Sequence, residues 1–479
     1  MPTLDELRAA MAARLSDAGI AVEAGVPARR DPQRARLSFS QRLVWAHQQQ
    51  VPDSTANNIC LTFTYTGDVD VCALQQALLA VVQRHEILRT TYHSGEDGEE
   101  PYQRIHPDCP PPIMTVDLSE AAAPAERLRL LVADAATEVF DLATESSIRL
   151  TFVTLPPSDG LPRMAVVIAM QHIVWDGMTL PAMARDIGRF YSAARSAPGE
   201  ALTVDALSPQ VADFAEFERD RFDSADHTAD ITFWENQFRG EVSTASLPYD
   251  RRPADPSEVS ARADRTLRPA AEQNLRALAA ELKTPPFSVF LAAYYLALRR
   301  MSGRDDLMIG STVANREEQG AEALIGNFSN PIALRIRAAD SDTFGDLVRH
   351  VRAVTDAAFE HRTFPFDEII EIARRVTGDG TARPFDSLVL FLDQKIDGIH
   401  LPDTTMTWEL ADKGRVALPL TVEAFMHPDR TEVQIGYQVD LFDASTVQTL
   451  HEFIEGTLAT ASVDSPLADS PLADSILAE

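Results

Sequence analysis

The chain has 479 residues, 45% apolar and 24% charged, a balance that excludes wholesale disorder and a fibrous repeat and leaves room for about two to four packed domains. Lys and Arg number 43 against 72 Asp and Glu, a formal charge of −29, which argues against a nucleic-acid backbone or an anionic membrane as the main partner. The three cysteines form no CxxC pair and no apolar run reaches membrane-spanning length, so a soluble protein of a reducing cytoplasm, without disulfides or a cysteine metal site, is expected.

Thr3-Leu-Asp-Glu6 fits a capping box, and Leu4, Leu7, Met11 and Leu15 follow at helical spacing, so residues 3–18 are expected to form an amphipathic helix. Residues 20–36, with Pro27 and Pro32, read as a linker, so residues 1–35 are an N-terminal helix and linker, the helix serving as a packing arm or a docking element. From 36 to 205 the pattern mixes a strand at Ile59–Tyr65, a helix at Val71–His85 and a strand at Met164–Met170. Turn formers over 196–210 mark a boundary. A second lobe, 206–465, repeats the mixture, with helices at Ala270–Leu282 and Phe287–Met301 and strands at Leu307–Ser311, Ile332–Ile336, Ser387–Leu392 and Glu432–Gln438. Residues 466–479 carry a short direct repeat and read as a frayed tail.

Direct search finds no GxSxG elbow, Walker loop, GxGxxG, HExxH or carrier-protein serine, which narrows the chemistry to something needing few groups. The most informative stretch is Met170-Gln-His-Ile-Val-Trp-Asp-Gly-Met178. An apolar strand delivers His172, an Asp-Gly turn follows, and a helix is expected from Thr179. A strand end feeding a helix start is a common place for a site. Alone, His172 would be a core histidine more often than a catalyst. His47, His93, His106, His227, His350, His400, His427 and His451 read as surface or packing residues.

Through these residues the chain resembles the condensation domains of nonribosomal peptide synthetases, acyltransferases that carry an HHxxxDG motif. The motif stands here as Gln171-His172-Ile-Val-Trp-Asp176-Gly177, with glutamine for the first histidine and the second, the one tied to catalysis in the family, retained. Other blocks follow in family order: Ser38-Phe-Ser-Gln41 with Trp45, Arg84-His-Glu-Ile-Leu-Arg-Thr90, Asp213-Phe-Ala-Glu-Phe217 with Phe233-Trp234, Gly310 to Arg316, Ile325-Gly-Asn-Phe-Ser-Asn330 with Arg335, and His361 with Phe364-Pro-Phe-Asp367. Leu43 departs from the arginine usual in the first block.

The resemblance implies an α/β fold of two chloramphenicol-acetyltransferase-like lobes in a V-shaped pseudo-dimer, with His172 in a central tunnel. It implies no metal and no cofactor of the protein's own. The donor would be the phosphopantetheine arm of an acyl or peptidyl carrier protein, and the acceptor a small-molecule or carrier-bound amine or hydroxyl. By resemblance, Asp176 is a structural anion beside Gly177 and pairs with an arginine, Arg316 first and Arg335 second. Trp175 and Asn330 are candidates for the tunnel wall, each with a packing or turn-capping alternative. A free-standing condensation enzyme is the leading expectation. A catalytically silent scaffold that recruits partners to a carrier protein, and a coenzyme A-dependent acyltransferase, stand beside it.

Overall fold

The structure, a computed structural model, describes residues 25–467 except 97, 241–243, 245–246, 255, 319 and 394–397. The helix expected over 3–18, and positions 468–479 of the expected tail, lie outside these residues.

The first half runs β1 (Arg34–Arg36), α1 (Phe39–Gln50), β2 (Asn58–Gly67), α2 (Val71–Arg84), β3 (Thr90–His93), β4 (Tyr102–Ile105), β5 (Ile113–Asp117), α3 (Pro124–Thr137), β6 (Ile148–Ser158), β7 (Leu161–Gln171) and α4 (Thr179–Ser196). The second half begins with α5 (Val211–Ser224), α6 (Thr228–Phe238), β8 (Ser260–Thr266), α7 (Pro269–Glu281) and α8 (Pro286–Ser302). It continues with β9 (Asp306–Ala314), β10 (Ser329–Arg337), α9 (Phe344–Glu360), α10 (Phe366–Thr377), β11 (Ser387–Leu392), β12 (Thr404–Leu410), β13 (Leu420–Met426), β14 (Thr431–Gln438) and α11 (Ala444–Thr460).

Local chemistry explains several of these boundaries. Ser38 and Gln41 form the capping box that starts α1, Asp70 accepts from the Ala73 amide at the start of α2, and both satisfy amides that the first helical turn leaves free. Gly303 ends α8 at φ 68°, a left-handed conformation that a Cβ would strain. In β7, both faces are buried from Met164 to Gln171, which is why that strand reads as a continuous apolar run instead of an alternating one.

Two principal sheets organise the chain. One has the order β12-β2-β7-β6-β5, the other β10-β9-β11-β13-β14-β8. Each has its own apolar core. The sheets do not divide at one point in the sequence, because β12 leaves the second half and pairs antiparallel with β2, Trp408 opposite Phe63. The range 206–465 is therefore not all built on one sheet. Trp408 stacks on Phe63 at 6.4 Å and Tyr65 donates to the Ile399 carbonyl at 2.8 Å. In the opposite direction Ser40 of α1 donates to the Ser329 carbonyl at 2.7 Å, and Arg42 pairs with Asp367.

Residues 25–36, which composition reads as linker, are fastened down. Arg29 pairs with Glu86 at 2.7 Å and Asp213 at 2.9 Å, and Arg36 pairs with Glu216 at 2.8 Å. Pro466 and Leu467 also pack: the Leu467 amide donates to the Asp342 carbonyl at 3.0 Å and its side chain is buried. No helix among the described residues is long and apolar enough to cross a membrane.

Candidate active site around His172

The β2–β7 ladder ends at the pair Asn58↔Gln171. One more rung follows, the His172 amide donating to the Asn57 carbonyl at 2.7 Å, and a single 3₁₀ turn, His172–Val174, then redirects the chain. Side chains alternate across a strand, so Gln171 and His172 face opposite sides of the sheet. Gln171 is fully buried, and its Oε1 accepts from the Ile173 amide at 2.5 Å. It caps the turn that presents His172, while its Nε2 is buried without a partner.

His172 is only partly covered. Its Nδ1 lies 3.4 Å from Asn327 Nδ2, and its Nε2 has no protein partner among the described residues. Burial first, then the Lys413 ammonium, push its pKa down to about 4, against a hydrogen bond to its own carbonyl and the Asp176 charge, which both pull upward. The ring is therefore neutral at pH 7. Lys413 itself falls to about 8, mainly through burial, against the charges of Glu423, Asp412 and Glu258. Its Nζ donates to the Asn58 carbonyl at 3.0 Å.

Asp176 is 2% exposed and is held from several sides. Arg316 grips it with Nη2 on Oδ1 at 2.8 Å and Nε on Oδ2 at 3.0 Å, and the amides of Met178 and Phe328 donate to it at 2.9 and 3.0 Å. The remaining donors of Arg316 reach the carbonyls of Ala321, Leu324 and Gly326 at 2.7, 2.9 and 2.9 Å, and its guanidinium lies over Phe328 at 4.3 Å. All five N–H groups of that guanidinium are used. The pair ties the Asp-Gly turn to the 321–328 loop, which also supplies Asn327 to His172. His85 adds to the tie: its Nε2 pairs with Asp186 of α4 at 2.8 Å, and its Nδ1 accepts from the Ile325 amide at 3.3 Å.

Other expected positions fall elsewhere. Arg335, the second candidate for Asp176, forms a bidentate pair with Asp306 at 2.8 and 2.6 Å and caps the end of α6 through the Gln237 and Arg239 carbonyls at 2.8 and 2.7 Å. β10 and β9 place Arg335 and Asp306 two residues apart across the ladder, so Asp306 is the carboxylate within its reach. Asn330 is not a free tunnel group: its Nδ2 donates to the Arg362 and Phe364 carbonyls at 2.8 Å and its Oδ1 accepts from the Phe366 amide at 3.1 Å. Trp175 packs in the core of the first sheet. Gly177 is exposed, and a Cβ there would meet Leu392 Cδ2 at 3.6 Å, an ordinary contact.

A cavity of about 290 Å³ opens beside the site, lined by Phe39, Phe214, Phe222, Phe328, Glu218 and Asn327 among others. Asn327 connects it to the imidazole. Burial pushes Glu218 up to about 7, against the Phe39 amide that donates to it at 2.7 Å. A carboxyl whose folded pKa is raised holds a proton that the unfolded chain has released, so it lowers stability as pH rises from about 4.5 to 7. Glu218→Gln keeps the acceptor for Phe39 and removes the titration. Its melting midpoint should exceed the parent's by about 2 °C at pH 8 and match it at pH 4.5; thermal scans at both values check this.

Sequence reasoning missed Asn327, Lys413, His47 and Glu258. Asn327 lies inside the Ile325–Asn330 block, which is the signal for it. His47 was placed with the surface and packing histidines, yet its Nε2 meets Glu258 at 2.6 Å and its Nδ1 meets Asn57 Nδ2 at 2.9 Å. Partners 10 and 211 positions away leave no local pattern.

Comparison with known proteins fits this geometry. The family model for the condensation domain matches residues 32–470. The chain belongs to the condensation domain family. That family comprises acyltransferases that form amide or ester bonds, and its members have the chloramphenicol-acetyltransferase-like pseudo-dimer fold. Similar proteins include a beauvericin nonribosomal cyclodepsipeptide synthetase of Gibberella fujikuroi, 31% identical over 86% of this chain and 13% of that protein. Another is phosphinothricin tripeptide synthetase of Streptomyces viridochromogenes, 30% identical over 87% of this chain and 38% of that protein. The chain thus spans a minor part of the multidomain relatives it matches. Among solved structures, the X-domain from teicoplanin biosynthesis covers 93% of this condensation domain and 99% of its own chain at TM-score 0.79 and 24% identity. The condensation domain of the monacolin K polyketide synthase MokA covers 89% and 96% at TM-score 0.76 and 22% identity.

Proposed function

We propose that this condensation domain transfers an acyl or aminoacyl group from the phosphopantetheine thioester of a carrier protein to an amine or hydroxyl in natural-product biosynthesis, with His172 as general base, in a cytoplasmic setting. The observation that carries this reading is the state of His172: a neutral imidazole with an unengaged Nε2, delivered by a rigid strand end beside a cavity. The nucleophile adds to the thioester carbonyl and gives its proton to Nε2, which carries the lone pair in the tautomer whose Nδ1–H donates to the residue's own carbonyl. The tetrahedral adduct then expels the pantetheine thiolate, which takes the proton from the imidazolium and leaves an amide or ester. Base catalysis of this kind contributes roughly 10²- to 10⁴-fold. Asp176 has no part in the proton path, because both its oxygens are committed to Arg316 and to backbone amides.

The experiment offers the domain a loaded carrier protein, or the matching coenzyme A thioester, with a panel of amines and alcohols, and detects product by mass spectrometry. His172-dependent product from the loaded carrier alone supports the reading, and product from coenzyme A thioester with equal efficiency replaces it by a coenzyme A-dependent transferase. A second reading, a silent recruiting scaffold, is favoured by one observation, Gln171 in the first motif position; the teicoplanin X-domain has been solved in complex with OxyB. Lack of turnover with every donor, together with retained carrier binding, would support the scaffold.

The depressed pKa of His172 gives a pH test. A base acts only when neutral, so the acid limb of kcat/KM should have its midpoint near pH 4, where the ring finally takes a proton. Removing the nearby cation with Lys413→Met should move that limb upward. A midpoint near 6.5 in the parent would show the ring at its ordinary value, and an acid limb that does not move in Lys413→Met would show that it belongs to another group.

A further inference from the structure

Asn57 stands directly opposite His172. The ladder's last registered pair is Asn58 with Gln171, and a single further bond, the His172 amide to the Asn57 carbonyl at 2.7 Å, carries the pairing one residue past the strand ends, setting Asn57 against His172. Residues opposed across an antiparallel pair project to the same face, with Cβ atoms about 4.5–5.5 Å apart. Asn58, on the other face, spends its amide on the Ala136 and Glu138 carbonyls at 2.9 and 3.0 Å.

The orientation of the Asn57 amide is fixed by a chain of hydrogen bonds from the other half of the molecule. Glu258 Oε1 faces His47 Nε2 at 2.6 Å, and Ser54 Oγ donates to Glu258 Oε2. The Asn57 amide nitrogen facing Nδ1 can only donate, so Nδ1 is the acceptor and the ring N–H is at Nε2, directed at the carboxylate. Nδ1 meets Asn57 Nδ2 at 2.9 Å. The amide nitrogen is thereby committed. Asn57 Oδ1 has no protein partner among the described residues and is not closed off as a buried atom, since Asn57 stays partly exposed on the face it shares with His172.

We propose that Asn57 positions an amine nucleophile, its Oδ1 accepting one N–H while the other N–H is aimed at His172, and that His47 and Glu258 act through Asn57 by holding that amide in the accepting orientation. This deepens the proposed function and rests on it. An attacking amine has a lone pair that forms the new C–N bond and two protons to place: one passes to His172 Nε2 and returns with the departing thiolate, and the other stays on nitrogen, bonded to Oδ1. A hydroxyl has a single proton, which the base takes. A second acceptor beside the base therefore favours amide over ester formation.

The test uses acyl N-acetylcysteamine thioester as donor and two matched acceptors, an amino acid amide and the corresponding α-hydroxy acid amide. His172→Ala first shows that product with the parent depends on the imidazole; absence of such dependence overturns the acyl-transfer reading and this proposal with it. With that dependence in hand, Asn57→Leu should lower kcat/KM for the amine by about 10- to 100-fold and for the alcohol by less than about threefold. His47→Phe should shift the same ratio in the same direction, and the double variant should be no worse than Asn57→Leu, because the two residues act in series. Melting midpoints close to the parent's show that each variant is folded. Equal losses on both acceptors, an unchanged amine rate in Asn57→Leu, or additive losses in the double variant would each overturn the proposal.

Discussion

His172→Ala is expected to lower turnover by at least about 10²-fold while leaving the melting midpoint within a few degrees of the parent's. The loss is large because the imidazole is the group at the strand end with an unengaged nitrogen, and removing it takes away the proton acceptor from an otherwise assembled site. The fold should persist because the residue is tied into the structure through its main chain, with the amide on Asn57 and the carbonyl accepting from the Trp175 amide at 3.1 Å. Alanine keeps both bonds. Single-turnover rates and a thermal scan on one preparation check the two halves of the expectation, and a folded variant with near-parent turnover would reject His172 as the base.

Asp176→Asn should have the opposite signature, an early melt with activity lost in proportion to unfolding. The substitution preserves shape but removes the charge, and it turns one acceptor into an N–H that faces the N–H groups of Arg316. The Arg316 side chain is 6% exposed, so a buried guanidinium is left without its anion. Breaking one side of such a pair costs about 3–5 kcal/mol. On a chain of this length that corresponds to a midpoint lower by roughly 3–5 °C. Unchanged melting with abolished turnover would make Asp176 a participant in proton transfer. Arg316→Met should destabilise further, since it also releases three backbone carbonyls of the 321–326 loop.

The elements with one strong local period were legible in the sequence. β2, α2, β7, α7 and α8 were expected within three residues of where they lie, because each carries an apolar run or helical stripe bounded by caps or turn formers. The histidine turn was legible for the same reason, as a strand end running into Asp-Gly. What the sequence hid was pairing at long range. Arg316 and Arg335 are equivalent as residue types, and only the path of β9 into the 321–328 loop decides which of them meets Asp176. Lys413 acts on His172, and Glu258 and His47 reach its neighbour Asn57, from three distant segments, and none carries a motif. Asn330 follows its turn-capping alternative: the fold uses the amide to fasten the start of α10.

The strand β12 bears on how the chain comes to be folded. Until it arrives, β2 is an open edge with a row of unsatisfied amides and carbonyls, a template for pairing with the wrong strand. Its partner lies more than 300 positions downstream, Thr404 opposite Gly67. At ribosomal speeds of about 5–20 residues per second, the nascent first sheet waits on the order of tens of seconds for its last strand. An isolated first half, ending before β12, would keep that edge permanently. Halves produced apart should aggregate or stay incomplete, and halves produced together should reassemble by strand donation, with the second fragment lending β12 to the first.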